Sequence, residues 1–185
     1  MDTSTLRDGF ARLANRRDRP TGHVVLGLVL TGGAVLASAL VAARHSPSPN
    51  NPKVKAAYDQ LEQTPLQPPA IVFGIVWPAL FMALTLSGLR IWNAPKSPER
   101  TRALTLWGLI QAFNATWMAL GPRRLGGQLA TAVATLGTAA AYAWEARKID
   151  APASTLVAPY IGWIGFANLL TEELWRRNGS RPTIH

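Results

Sequence analysis

The chain has 185 residues, enough for one domain or two small ones. It has no cysteine, which excludes disulfides, cysteine-held zinc, iron–sulfur clusters and thiol nucleophiles. The formal net charge is +9, but the cations sit in short joints between apolar runs. That distribution points to anionic lipid headgroups rather than to a nucleic-acid partner, which would call for a basic patch interleaved with aromatics.

Residues 1–22 form a basic arm. Leu6, Phe10 and Leu13 recur at helical spacing among Arg7, Arg12, Arg16 and Arg17. This pattern fits a helix lying on headgroups or a disordered arm, and the sequence does not separate the two. The apolar run that follows exceeds the hydrophobic core of a signal peptide, so an uncleaved first helix is expected over about 23–43. The joint 44–69 is the longest. Its stretch Lys53 to Glu62 is helix-compatible and bracketed by prolines, as suits a lid or a solvated connection.

The second run, "PPAIVFGIVWPALFMALTLSGLRIW", has no charge between Pro69 and Arg90, so a helix here offers water no face. Pro68 and Pro69 suit a helix start, and Pro78 is tolerable inside a bilayer when neighbours cover the freed carbonyl. Three further runs predict helices over about 103–120, 125–146 and 153–175. Each run is about 20 residues long, the length that spans a hydrocarbon core. The expected fold is therefore an all-α, integral-membrane bundle of five transmembrane helices, residues 23–178, with a tail at 179–185. Five spans put the termini on opposite sides. The larger share of Lys and Arg lies on the amino-terminal side, which favours a cytoplasmic amino terminus.

Soluble-enzyme signatures are missing. The three histidines, His23, His45 and His185, have no ligand spacing. Glu172 and Glu173 are adjacent and point about 100° apart on a helix, a poor geometry for sharing a proton. "NGS" at Asn178 matches a glycosylation triplet that also arises by chance. Two rows of small residues, Gly33, Ala37 and Val41 and then Gly126, Ala130, Ala134 and Thr138, predict close helix packing within or between chains.

All seven tryptophans lie in the apolar runs or at their ends. Trp92, Trp144 and Trp175 occupy ends, where an aromatic belt accounts for them. Trp77 shares a face with Phe81, and Trp117 lies on the side of Asn114 and Gln111. Tyr160, Trp163, Ala167 and Leu170 form a stripe. Amides inside a bilayer are costly unless bonded, so Gln111 and Asn114 should face protein or a pocket. Aromatic walls with a few polar groups describe either a pocket for a flat apolar ligand or simple helix packing.

Three segments in order resemble the translocator protein/tryptophan-rich sensory protein (TspO/MBR) family, over about residues 23–178. "AAYDQLEQTPLQPPAIVFGIVWPALF" keeps Tyr58, Leu61, Pro65, Pro68, Pro69, Val72, Phe73, Trp77, Leu80 and, conservatively, Phe81. "LIQAFNATWMALG" keeps Asn114 and Trp117, with Gln111 one place displaced. "APYIGWIGFANLLTEELWRRN" keeps Pro159, Tyr160, Trp163, Phe166, Ala167, Leu170, Trp175 and Asn178. The chain departs at Leu66, where the family has a loop tryptophan, and at Ala57, Thr171 and the short joint "GPRRL".

The high Ala and Arg content points to a bacterial cell membrane, and the resemblance implies a five-helix bundle, commonly a homodimer. It also implies a pocket for porphyrins such as protoporphyrin IX or haem, sterols, or benzodiazepine-type compounds, with no obligatory cofactor and no metal. Carried over, the ligand residues are Trp77, Phe81, Asn114, Trp117, Trp163, Phe166, Ala167 and Leu170, with Tyr58, Leu66 and Pro68 in the lid. A membrane receptor or sensor for a flat hydrophobic ligand is the leading expectation. A structural subunit of a larger membrane complex is the alternative, and a porphyrin-degrading enzyme ranks last.

Overall fold

The computed structural model describes residues 3–16 and 18–179. The elements are α1 (Thr3–Leu13), α2 (Thr21–His45), α3 (Pro52–Asp59), α4 (Ala70–Asn93), α5 (Pro98–Leu120), a 3-10 turn (Pro122–Arg124), α6 (Leu125–Ile149) and α7 (Ala151–Asn178). The expected count of five helices is thus seven among the described residues, because the arm and the lid each add a short one. Three of them, α2, α4 and α7, are long and apolar enough to cross a membrane. The other two long helices are less apolar for different reasons. Near its start α5 carries Glu99, Arg100 and Arg102, and α6 is rich in Ala, Gly and Thr, whose burial gains less than that of Leu or Ile. The tail expected at 179–185 and Arg17 of the arm lie outside the described residues, except for Gly179.

Capping explains the helix starts. Ser97 accepts from the amide of Arg100 with Pro98 in the first turn, so α5 begins well ahead of the expected Ala103. Asp150 does the same for α7, accepting from the amide of Ala153. The long helices touch in the circular order α2, α5, α6, α7, α4 and back to α2. Because α2 and α4 are apolar nearly all round, their hydropathy gives little sign of which face turns inward.

On α2 the inward stripe is Val24, Gly27, Thr31, Val35 and Ser38. The expected row of Gly33 and Ala37 is not a packing face within the chain. Gly33 and Ala37 point outward, and a Cβ built on Gly33 meets nothing within 4 Å. The close approaches lie at Gly27 and Gly88. A Cβ on Gly27 would stand 2.3 Å from the Trp92 ring, and one on Gly88 would stand 2.7 Å from that of Trp107. Trp92, expected in an aromatic belt, is a tie between helices: its Nε1 donates to the carbonyl of His23 at 3.1 Å and its ring stacks on that imidazole. Trp144 is 67% exposed, with Lys148 over its ring.

The end of the bundle beneath the arm is densely bonded. Arg90 holds Asp150 in a two-pronged ion pair at 2.5 and 3.0 Å and also donates to the carbonyls of Arg12 and Leu13. The Asn93 amide donates to the carbonyl of Ala14, which is fully buried. Arg19 and Arg100 donate to the last carbonyls of α4, the end where a helix welcomes cations. The arm is therefore a helix whose carboxyl end is pinned to the bundle. Phe10 and Leu13 remain exposed; the side chains of Leu6 and Arg7 lie outside the described residues.

Candidate ligand chamber

On α4, Phe73, Trp77 and Phe81 recur at every fourth residue and so share one face. The rings of Trp77 and Phe81 lie 5.3 Å apart, and Phe73 meets Trp163 of α7 edge-on at 5.6 Å. Trp163 in turn contacts Phe166 at 5.7 Å. An aromatic track therefore runs along α4 from α7 toward α2.

At the α2 end of this track is a chamber of about 160 Å³. It is walled by Trp77, Phe81, Asn114 and Trp117, joined by Ser38, Ala42 and Ser46 of α2 and by Met118. Four of the eight ligand residues expected from sequence meet here. Trp163 and Phe166 belong to the track instead, while Ala167 and Leu170 sit further along α7 and line no described cavity. Sequence reasoning misses Ser38, since one serine among alanines on an apolar helix looks like any other small residue.

The polar groups at the chamber are unusual for a protein interior, where buried donors normally find partners. Tyr160 donates from its hydroxyl to Asn114 Oδ1 at 2.7 Å, which fixes the amide with Nδ2 free. Asn114 Nδ2, Trp117 Nε1 and Ser38 Oγ are all buried and have no partner; neither has Trp163 Nε1 on the track. Gln111, one turn before Asn114, is buried with both amide atoms unpaired.

The lid closes one end of the bundle. Asn178 is buried and double-bonded to it, accepting from the amide of Glu62 at 2.9 Å and donating to the carbonyl of Glu62 at 3.1 Å. It is thus engaged in the fold rather than presented for glycosylation. Thr64 donates to the Glu173 carboxylate, and Arg177 bridges Glu173 and Glu62. Glu172 is exposed, so the two adjacent carboxylates form no dyad. Tyr58 receives a hydrogen bond from Gln128 at 3.3 Å, and Gln128 also donates to the carbonyl of Trp117. Burial pushes the Tyr58 phenol above its ordinary range, with the Gln128 bond opposing. Pro68 is half-buried. Leu66 is 59% exposed and lines no described cavity, because Thr64 takes the inward position and receives the Leu66 amide.

Apolar helices of membrane length, packed around an aromatic-walled chamber near unpaired buried donors, define an integral membrane protein with a small cavity between its helices. The TspO/MBR family profile matches residues 28–176. The translocator protein of Bos taurus is 31% identical over 128 residues, which cover 67% of this chain and 76% of the relative. The tryptophan-rich sensory protein of Cereibacter sphaeroides is 30% identical over 127 residues, 68% of this chain and 78% of the relative. Protein CrtK of Rhodobacter capsulatus is 26% identical over 131 residues, 69% and 82% respectively. The chain belongs to the TspO/MBR family.

Proposed function

We propose that the protein is a membrane receptor or sensor for a flat hydrophobic ligand, a tetrapyrrole such as protoporphyrin IX or haem, or a sterol-like molecule. The observation that carries this reading is the set of buried, unpaired donors at the end of an aromatic track. Dispersion and ring contact supply affinity, and the Asn114 amide, held by Tyr160, supplies orientation. The chamber is smaller than the roughly 300–1,000 Å³ that encloses a drug-sized ligand. A porphyrin ring does not fit inside it. The ring lies along Phe73, Trp77 and Trp163 once the lid has lifted, and only one edge enters the chamber. Titration of the purified protein with protoporphyrin IX, followed by tryptophan quenching, tests the proposal. Trp77→Ala should weaken binding by about 1–3 kcal/mol while the protein still inserts and folds.

In this reading all five long helices cross the membrane, including α5 and α6, whose polar faces turn inward. The amino terminus is cytoplasmic and the membrane is that of a bacterial cell. Reporters fused at the two ends should therefore report opposite sides. A second reading, assembly with another membrane chain, is favoured by the outward row of Gly33 and Ala37, which suits close approach of a helix from a second copy or from another subunit. A homodimer would satisfy both readings.

A further inference from the structure

A groove of about 350 Å³ opens on the outside of the bundle, between α2 and α4. Leu28 and Ala39 mark its two ends on α2, about 16 Å apart at the helical rise. That is about the depth of one leaflet in a hydrocarbon core roughly 30 Å thick. Its one hydroxyl, that of Thr85, is spent on the carbonyl of Phe81 at 2.9 Å, so the walls offer only hydrocarbon. Phe10 of the arm lines the groove as well and is 45% exposed. At the head of the groove the arm brings cations. Thr21 precedes Ala39 by about five whole turns of α2 and so stands on the same line of that helix. Arg16 Nη2 donates to the Thr21 hydroxyl at 2.9 Å and Nε to the carbonyl of Arg19 at 3.3 Å, which leaves Nη1 uncommitted. Arg19 is bonded to the carbonyls of Asn93 and Ala94 at the end of α4. Neither arginine takes part in an ion pair among the described residues, and the arm's Asp8 and Asp18 are exposed.

We infer that groove and arm together bind one anionic phospholipid of the leaflet on the arm's side, with an acyl chain in the groove against Phe10 and the phosphate at Arg16 and Thr21. Charge selects this occupant. Two guanidiniums without a carboxylate partner attract an anionic headgroup, which a zwitterionic lipid or an apolar helix of a second copy does not supply. The amino end of α2, beside Arg16, favours an anion as well. Distance agrees. Thr21 precedes Leu28 by about 10 Å along the axis. That interval is close to the interfacial layer of roughly 5–8 Å on each side of the core, which glycerol and ester groups occupy. The family profile begins at residue 28, so Phe10, Arg16 and Thr21 lie outside the matched part and the site belongs to this chain's own arm. The inference does not depend on the ligand reading.

The chain has no cysteine, so one introduced cysteine carries a fluorophore at a unique place. Bimane on Met82→Cys reports the groove, and bimane on Leu169→Cys, on the exposed face of α7, reports bulk lipid. The full chain is reconstituted in vesicles of four parts phosphatidylcholine to one part phosphatidylglycerol, with one lipid or the other brominated on its acyl chains. Per molecule, quenching by phosphatidylglycerol relative to phosphatidylcholine should be about fivefold higher at Met82→Cys than at Leu169→Cys, the worth of one cation at an anionic surface. Arg16→Gln should bring the two positions within about twofold of each other, and Arg16→Lys should keep most of the preference. Quenching with both lipids brominated should be the same in every variant, which certifies that the groove is intact. Equal ratios at the two positions in the otherwise unaltered chain overturn the inference, and so does a preference that survives Arg16→Gln. Weak quenching by both lipids at Met82→Cys overturns it in favour of a second chain in the groove. Loss of the preference on adding glycerol 3-phosphate overturns it in favour of a site for the free anion.

Discussion

The two ends of the bundle use the same helices to opposite effect. Toward the arm, polar groups are paired. Ser87 bonds both the Tyr142 hydroxyl at 2.6 Å and the carbonyl of Ala153 at 2.7 Å, Trp107 donates to the carbonyl of Leu84, and Arg90 grips Asp150. From the middle of the helices toward the lid, Ser38, Gln111, Asn114, Trp117, Trp163 and Asn168 all keep an unpaired buried atom; at the arm end only Asn93 Oδ1 does, among the described residues. One end is built for stability. The other holds unmet hydrogen-bonding capacity, which folding alone would select against.

The largest effect should come from breaking the ion pair at the tight end. Asp150→Ala leaves the Arg90 charge buried and removes the cap of α7. A loss of about 3–5 kcal/mol is expected, seen as a lowered thermal unfolding midpoint in detergent. Next comes a matched pair of glycines. Gly88→Ala must push the Trp107 ring off its bond to Leu84 and should cost about 1–3 kcal/mol, whereas Gly33→Ala on the outward face should be neutral or slightly stabilising.

Two serines sharpen the contrast further. Ser87→Ala forfeits two buried hydrogen bonds and should cost about 1–3 kcal/mol, while Ser38→Ala, which removes an unpaired hydroxyl, should leave stability unchanged or raise it by up to about 1 kcal/mol. Equal losses at both serines would erase the distinction between the ends. The smallest effect concerns the lid. The Tyr58 phenol is raised by burial, so its contribution to holding α3 in place is complete below the usual tyrosine range and is lost as pH rises through its own higher value. A fluorophore on Lys55→Cys should report this loosening at alkaline pH, and Tyr58→Phe should abolish the transition.

The helical, membrane-spanning character is legible from run length, and the chamber wall is half legible from period. Trp77 and Phe81 at four residues' spacing, and Asn114 and Trp117 at three, fall on shared faces by the helical repeat alone. What escapes the sequence is facing. On α2 apolar residues occupy every side, so the inward stripe through Gly27, Thr31 and Ser38 looks no different from the outward row through Gly33 and Ala37. The contacts of Trp92 against Gly27 and of Gly88 against Thr31 decide between them. Helix starts escape where capping runs ahead of the apolar stretch, as at Ser97 and Pro98. The lid's inward residue escapes because an acceptor on α7, Glu173, draws in Thr64 and turns Leu66 out.

The bond between Asn178 and Glu62 joins groups 116 residues apart, and one of them is the last residue of the last helix. During synthesis the lid emerges early; Gln128 of α6 is its first hydrogen-bonded partner among the later helices, and the catch at Asn178 forms only after the final turn of α7 has left the ribosome and packed. The lid of a nascent chain is therefore fully fastened only as one of the last events of assembly. A chain terminated just before Arg177 would keep every long helix and lose the catch, leaving the lid held by Glu173 and Gln128.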